Sequence, residues 1–79
     1  MLKLKIVSPE RVEFDGEVES VKVPGTVGEF EVLVHHAPII SSLERGTVTY
    51  RTSEGSKTLE VKDGFVSVKK NVVNICVEI

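Results

Sequence analysis

A catalytic or metal-binding interpretation of the sequence would depend on His35, His36, Ser41, Ser42, Cys76 and the acidic side chains. Adjacent histidines in a strand point to opposite faces, so the pair cannot easily hold one metal ion. No further histidine or cysteine completes a ligand set, and neither serine lies in a glycine-flanked nucleophile elbow. The sequence alone does not decide whether the fold brings a serine, a histidine and an acid together as a catalytic triad. We predict no enzyme activity, no metal site and no cofactor.

The glycines near position 25 do not form a nucleotide-binding motif. Residues 25–28 (GTVG) lack the Gly-Lys-Ser/Thr ending of a P-loop and the glycine spacing of a Rossmann fold. We therefore interpret these glycines as turn residues. His36, which an Ala-Pro pair follows, is interpreted as structural: its ring either holds a loop or contacts a partner.

Composition is that of an ordinary globular domain, with 41% hydrophobic and 28% charged residues. A chain of 79 residues is enough for one small domain, which we assign to residues 1–79. The net charge of −2 argues against a general nucleic-acid binder, which needs a basic surface. No apolar stretch reaches the roughly 18 residues of a membrane span, and the alternating N-terminus is unlike a signal peptide. We expect a cytoplasmic protein that reaches a membrane only through a partner.

Acidic residues are concentrated in one part of the chain. Positions 10 to 31 hold seven acids and two bases. On charge alone, solvated loops and outward strand faces are the simplest interpretation. The alternative is an acidic surface that attracts a basic partner.

Apolar residues recur at every second position, which is the pattern of half-buried antiparallel strands. The clearest runs are Leu2-Leu4-Ile6 and Val73-Ile75-Val77-Ile79. Turn-forming pairs such as Asp-Gly, Pro-Gly and Lys-Asn separate the runs, and no segment of ten or more residues keeps a helical stripe. The sequence therefore predicts an all-β sandwich or flattened barrel. Slips in the alternation at Val18 and Phe65 each predict a bulge or a strand covered on both faces.

Several short motifs follow one another in a fixed order along the chain. They are Ser8-Pro9-Glu10, Phe14-Asp15-Gly16-Glu17-Val18, Val23-Pro24-Gly25, Gly28-Glu29-Phe30, His36-Ala37-Pro38-Ile39-Ile40-Ser41 and Gly64-Phe65. In this order and spacing they resemble the N-terminal domain of F-type ATP synthase ε subunits, called δ in mitochondria. Each motif alone is weak, but the ordered set covers essentially the whole chain.

The resemblance implies a flattened antiparallel sandwich of ten strands and a non-catalytic role in the rotor. Such a subunit packs beside γ at the foot of the central stalk, touches the membrane c-ring, and couples proton or sodium flow to ATP synthesis. It would act as one copy within the complex, in the F1 sector at the cytoplasmic face of the inner membrane. The resemblance implies no cofactor and no nucleic-acid partner.

The resemblance also assigns candidate contacts. The c-ring contact maps onto Val27, Gly28, Glu29 and Phe30, with His36, Ala37 and Pro38 as adjacent candidates. In that assignment, the Glu29 carboxylate would face a basic loop of the ring. For γ, the candidates are Val72 and Cys76, which are apolar positions on the otherwise polar face of the last strand.

Three positions depart from the family pattern, where Glu31, Val34 and Asp63 replace Gly, Pro and Gly. Loss of the first glycine and the proline predicts a connection between Glu29 and His36 that is more strand-like or turns differently. An aspartate tolerates turn geometry, so the change at Asp63 is read as conservative.

The sequence ends at Ile79, about where the family's sandwich ends. Many members of the family continue with a C-terminal helical hairpin that restrains ATP hydrolysis, and we expect this 79-residue sequence to lack it. An alternative from another class is a biotinyl or lipoyl carrier domain, with Lys69 or Lys70 as the modified residue at a hairpin tip. The flanking methionines of such carriers are missing. An oligonucleotide-binding barrel is a further alternative, which the acidic balance and the scarcity of aromatic residues disfavour.

Overall fold

A computed structural model describes all residues from 1 to 79 and contains nine β-strands and no helix. The strands are β1 (Leu2–Val7), β2 (Val12–Val18), β3 (Ser20–Gly25), β4 (Gly28–Val32), β5 (Ile39–Leu43), β6 (Gly46–Thr52), β7 (Gly55–Val61), β8 (Asp63–Lys69) and β9 (Val72–Glu78). No helix is present that could cross a membrane.

Alternation along the strands builds one hydrophobic core. In β1, Leu2, Leu4 and Ile6 are fully buried while the lysines between them are exposed. The same alternation buries Val73 and Ile75 in β9. Successive side chains of a strand point to opposite faces, so each strand contributes its apolar face to the interior. The core consists of 16 buried apolar residues and contains no buried polar side chain, so burial needs no internal polar partners.

The strands form one curled sheet in the order β2-β1-β9-β8-β5-β3-β6-β7, with β4 added beside β3. The β5–β3 junction is narrow, because only Gly25 and Leu43 pair there. The sheet folds over at this junction into two layers that enclose the core. One layer contains β2, β1, β9, β8 and β5, and the other contains β4, β3, β6 and β7. The ring of Phe14 on the edge strand β2 and the ring of Tyr50 on β6 meet at 4.5 Å between centroids and bring β2 against β6.

The expected all-β sandwich is confirmed, with two differences in detail. Nine strands are present where ten were expected. Residues 33–38 form a turn and an irregular segment, because His35 adopts a left-handed backbone (φ 68°) and Pro38 has no N–H to donate. The sheet is also not wholly antiparallel, since β1 and β9 pair in parallel. A parallel pair needs a long connection between its strands, and here seven further strands supply it.

The two slips in the alternation have different causes. The slip after Val18 reflects a break at Glu19, which separates β2 from β3. At Phe65 there is no bulge: β8 pairs regularly with both neighbours, and the Phe65 ring lies on the outer face, 54% exposed. The expectation of a bulge at Phe65 was therefore wrong. The apolar residue there belongs to the surface of the domain.

Candidate functional site

The β3–β4 hairpin projects one exposed apolar residue from the end of the sandwich. Its turn consists of Thr26 and Val27, and the Val27 side chain is 95% exposed. Gly28 follows with φ of 136°, a backbone conformation that favours glycine, and open space surrounds it. We call residues 26 and 27, at this end of the sandwich, the hairpin tip.

Phe30 faces inward and anchors this hairpin. Its ring is half-buried against the core and covers Gly25, where an added Cβ would lie 2.9 Å from the ring and 2.7 Å from the Gly28 carbonyl oxygen. Gly25 must therefore remain a glycine for the ring to pack this closely. Of the four sequence-predicted residues on this hairpin, Phe30 has a packing role, whereas Val27 and Glu29 are the side chains available to a partner.

Acidic side chains lie along the outer face of β4. Glu29 is exposed and pairs across the strands with Pro24, so no basic neighbour faces it in the register. Glu31 pairs with Lys22 within a regular strand. β4 ends at Val32, and the turn that follows it lies at Val34 and His35. The Glu29 carboxylate is the free negative charge nearest the hairpin tip.

The structure separates His36, Ala37 and Pro38 from the hairpin tip. They follow β4, whose five residues span about 13 Å away from the turn at ~3.3 Å per residue. At that opposite end, the backbone N–H of His35 donates to the Asn71 side chain over 2.7 Å. His36 Nδ1 donates to the Ala37 carbonyl over 2.8 Å, which is the loop-holding role expected for this ring. The seven candidate ring contacts therefore form two groups at opposite ends of the sandwich.

An apolar groove runs across the outer face of the larger layer. Cys76 is among its lining residues, next to Val7 on β1 and Phe65 on β8 in the strand register. The groove has a volume of about 340 Å³, and Pro9 and Gly64 are also among its lining residues. A contiguous exposed apolar patch is the kind of surface that marks a contact site. Here Phe65 is the large exposed apolar residue of the lining, which also includes Asp63 and Glu78. We call this surface the apolar groove.

The two sequence-predicted γ contacts occupy different parts of this outer face. Cys76 lies within the apolar groove, whereas Val72 lies at the other end of β9, between Lys3 and Lys69. Two further apolar residues of this outer face, Phe65 and Ile40, are 54% and 80% exposed and were not among the predicted contacts. The signal for Phe65 was its slip in the alternation, which indicates an outward apolar residue as well as a bulge.

The possible catalytic groups do not converge. The Ser41 hydroxyl donates to the Ser42 carbonyl, and the Ser42 hydroxyl pairs with Thr26. Neither serine hydrogen-bonds to a histidine, and the ring of His36 is held by the carbonyl next to it. The structure contains no group of three or more His, Cys, Asp or Glu side chains that could hold a metal ion.

Comparison with known families gives a match over the full length of the chain. The sequence model described as ATP synthase, Delta/Epsilon chain, beta-sandwich domain matches residues 1–79. The chain belongs to this ATP synthase delta/epsilon family. The carrier-domain alternative is not supported, because the matched family and its relatives are ATP synthase chains.

Two relatives within the delta/epsilon family are 42% and 38% identical to this chain over the aligned residues. An ATP synthase epsilon chain of Leptospira interrogans (strain Fiocruz L1-130) is 42% identical over 74 residues, covering 94% of this chain and 58% of its own. One from Caulobacter vibrioides is 38% identical over 77 residues, covering 98% of this chain and 90% of its own. The chain thus spans little more than half the length of the Leptospira relative and most of the Caulobacter one.

Solved structures of two mitochondrial ATP synthases each contain a chain that shares the fold. A chain of the Euglena gracilis mitochondrial ATP synthase, solved as OSCP, F1 and c-ring, superimposes with a TM-score of 0.89 at 22% identity. The superposition covers 96% of this chain and 49% of that one. A chain of the Tetrahymena thermophila mitochondrial ATP synthase, solved as central stalk and c-ring, gives a TM-score of 0.83 at 16% identity. That match covers 99% of this chain and 63% of the other.

Proposed function

We propose that the chain is a non-catalytic rotor subunit of an F-type ATP synthase that links γ to the membrane c-ring. Membership of the delta/epsilon family carries this proposal. The arrangement of the surface supports it, because the hairpin tip and the apolar groove lie on one small rigid domain. The subunit transmits torque and performs no bond chemistry.

The proposed ring contact consists of Val27, Gly28 and Glu29. These residues form the tip of the hairpin and its first outward carboxylate, while Phe30 holds the hairpin from inside. His36, Ala37 and Pro38 are not part of this proposed contact. They lie a strand length away from the hairpin tip, so a partner that meets the tip does not reach them. Contacts of this kind are polar and rim-like, so they serve orientation and assembly more than isolated affinity.

The proposed γ contact is the apolar groove around Cys76 and Phe65, with Ile40 beside it on β5. Apolar side chains that are half or more exposed gain free energy when a partner covers them. Val72 lies among lysines at the far end of β9 and would extend this contact as a polar rim. In this arrangement the domain sits in the F1 sector at the cytoplasmic face of the membrane.

Rigidity is what the proposed role requires of this fold. The domain has 47 backbone hydrogen bonds, and 40 of them lie within the strand ladders. Because a load on the hairpin passes into ladders rather than into loops, the domain can follow the rotation without local unfolding. The proposed mechanism is therefore mechanical coupling between two surfaces of one sandwich.

Co-purification with γ and the c-ring from native membranes at low salt tests the proposal. We expect both partners to be recovered, and failure to recover either one would contradict the assignment. A charge reversal then tests the ring contact. Glu29→Lys should reduce proton-driven ATP synthesis, whereas Glu54→Lys, in the β6–β7 turn at the opposite end, should leave it unchanged. Equal effects of the two reversals would refute the ring contact.

A further inference from the structure

The turn of the β3–β4 hairpin is tied to the end of β5 by three hydrogen bonds. The hydroxyls of Thr26 and Ser42 lie 2.9 Å apart. The backbone N–H of Thr26 donates to the Ser42 carbonyl over 3.1 Å, and the N–H of Glu44 donates to the Pro24 carbonyl over 2.9 Å. The hydroxyl pair is the side-chain part of this brace and spans 16 positions in the sequence.

The position of this brace coincides with the weakest junction of the sheet. β3 and β5 share one registered pair, Gly25 with Leu43, where the sheet folds over between its two layers. Other neighbouring strands share between three and seven registered pairs. One hydroxyl hydrogen bond therefore contributes more to holding the two layers in one relative orientation here than it would beside a long ladder of backbone hydrogen bonds.

The brace connects the two proposed contact surfaces. Thr26 precedes Val27 at the hairpin tip, and Ser42 is the cross-strand neighbour of Phe65 in the apolar groove. A turn-forming role would explain a hydroxyl that bonds its own backbone a few residues away. It does not explain a bond between hydroxyls of two separate strand ends.

We propose that Thr26 and Ser42 are positioning residues that fix the ring-facing hairpin relative to the γ-facing layer. This inference rests on the proposed rotor function. Each residue acts through the brace rather than by contact with a partner. When the hydroxyl pair is lost, the hairpin samples other orientations and fewer molecules are ready to meet both partners, so apparent affinity falls by that fraction.

The test uses assembled ATP synthase containing the full chain, with binding of the chain to the γ–ring subcomplex and the ratio of protons pumped to ATP hydrolysed as readouts. Thr26→Val removes the hydroxyl and keeps the shape, while Thr26→Ser keeps the hydroxyl. We expect Thr26→Val and Ser42→Ala to weaken binding about fivefold each, the equivalent of one net hydrogen bond. Both should also lower the pumping ratio. Thr26→Ser should match the original chain.

A double variant with both changes should bind as each single variant does, about fivefold weaker, because one bond is lost in all three. Three results would overturn the inference: Thr26→Val binding as the original chain does, Thr26→Ser failing as Thr26→Val does, or additive losses in the double variant. If the original chain itself fails to bind γ and the ring, the result contradicts the proposed rotor function and therefore also the inference. Normal binding of the original chain with no effect of the hydroxyls contradicts the inference alone.

Discussion

Gly64 offers a stringent test of the packing between β8 and β9. It lies in a strand with neighbours on both sides, Leu43 on β5 and Val77 on β9, and its φ is 153°. A Cβ built on it would lie 2.1 Å from the carbonyl oxygen of Cys76 and 2.9 Å from the Val77 Cα. Both contacts are with backbone, so no side chain can rotate away. We expect Gly64→Ala to be among the most destabilising small changes in the domain.

The size of the effect follows from two separate costs. A non-glycine residue in this backbone conformation costs about 1–3 kcal/mol. Moving the Cys76 backbone to make room costs roughly a further 1–3 kcal/mol, by analogy with overpacked cores. Gly55 provides a matched control, because its φ is 122° and nothing lies within 4 Å of an added Cβ. Gly55→Ala should show only the first cost.

Urea unfolding followed by circular dichroism measures both variants against the original chain. A domain of this size has roughly 4–12 kcal/mol of stability in total, so Gly64→Ala should remove a large part of it or unfold the chain outright. Gly55→Ala should remain folded, with a urea midpoint between those of the original chain and Gly64→Ala. If Gly64→Ala were no less stable than Gly55→Ala, the close approach of β8 to β9 described above would be wrong.

Three further substitutions test the burial of Ile75, the titration of Tyr50 and the ring contact between Phe14 and Tyr50. Ile75→Ala removes a fully buried side chain of β9, so it should cost about 2–5 kcal/mol of unfolding free energy in urea, whereas loss of less than ~1 kcal/mol would contradict its burial. Burial, with a smaller contribution from the Glu13 carboxylate, raises the pKa of the Tyr50 phenol above 10.0. The folded state then holds the phenolic proton more tightly than the unfolded state, so this contribution to stability is full below about pH 10 and falls as the pH rises further. Thermal unfolding of Tyr50→Phe as a function of pH should not show that fall. A pH profile identical to that of the original chain would contradict the burial of the phenol. Phe14→Leu removes the ring contact with Tyr50 and should cost about 0.5–1.5 kcal/mol beyond its change in buried area. A double-mutant cycle with Tyr50→Leu, which also removes the aromatic ring, measures this coupling, and additive losses would contradict it.

The strands and the core could be predicted from the sequence because alternation reports burial directly. The positions Leu2, Leu4 and Ile6 share one face in the sequence and are all fully buried in the structure. The parallel pairing of β1 with β9 could not be predicted in this way. Alternation shows which face of a strand is buried but not which strand lies beside it.

The candidate site was predicted in part. Its hairpin was found through the motif around Glu29, but the motif gives no sign that Phe30 faces inward, because a half-buried aromatic residue and an exposed one read alike. The distance between Val27 and His36 also escaped prediction, since nine positions in sequence can form a tight loop or, as here, run the length of a strand. Phe65 lies on the outer face because the β8 pairing stays regular. These features depend on strand register, which local pattern does not determine.

A cross-link from the hairpin tip tests the rotor assignment most directly. The background is a chain with Cys76→Ala that still co-purifies with γ and the c-ring. A photoreactive reagent is attached to Val27→Cys in one sample and to Glu54→Cys in a control, and each chain is assembled into ATP synthase. Mass spectrometry of the irradiated complex then identifies the partner. We predict a product with the c-ring subunit from position 27 and none from position 54. Absence of the c-ring product from position 27, or equal yields from both positions, would contradict the account.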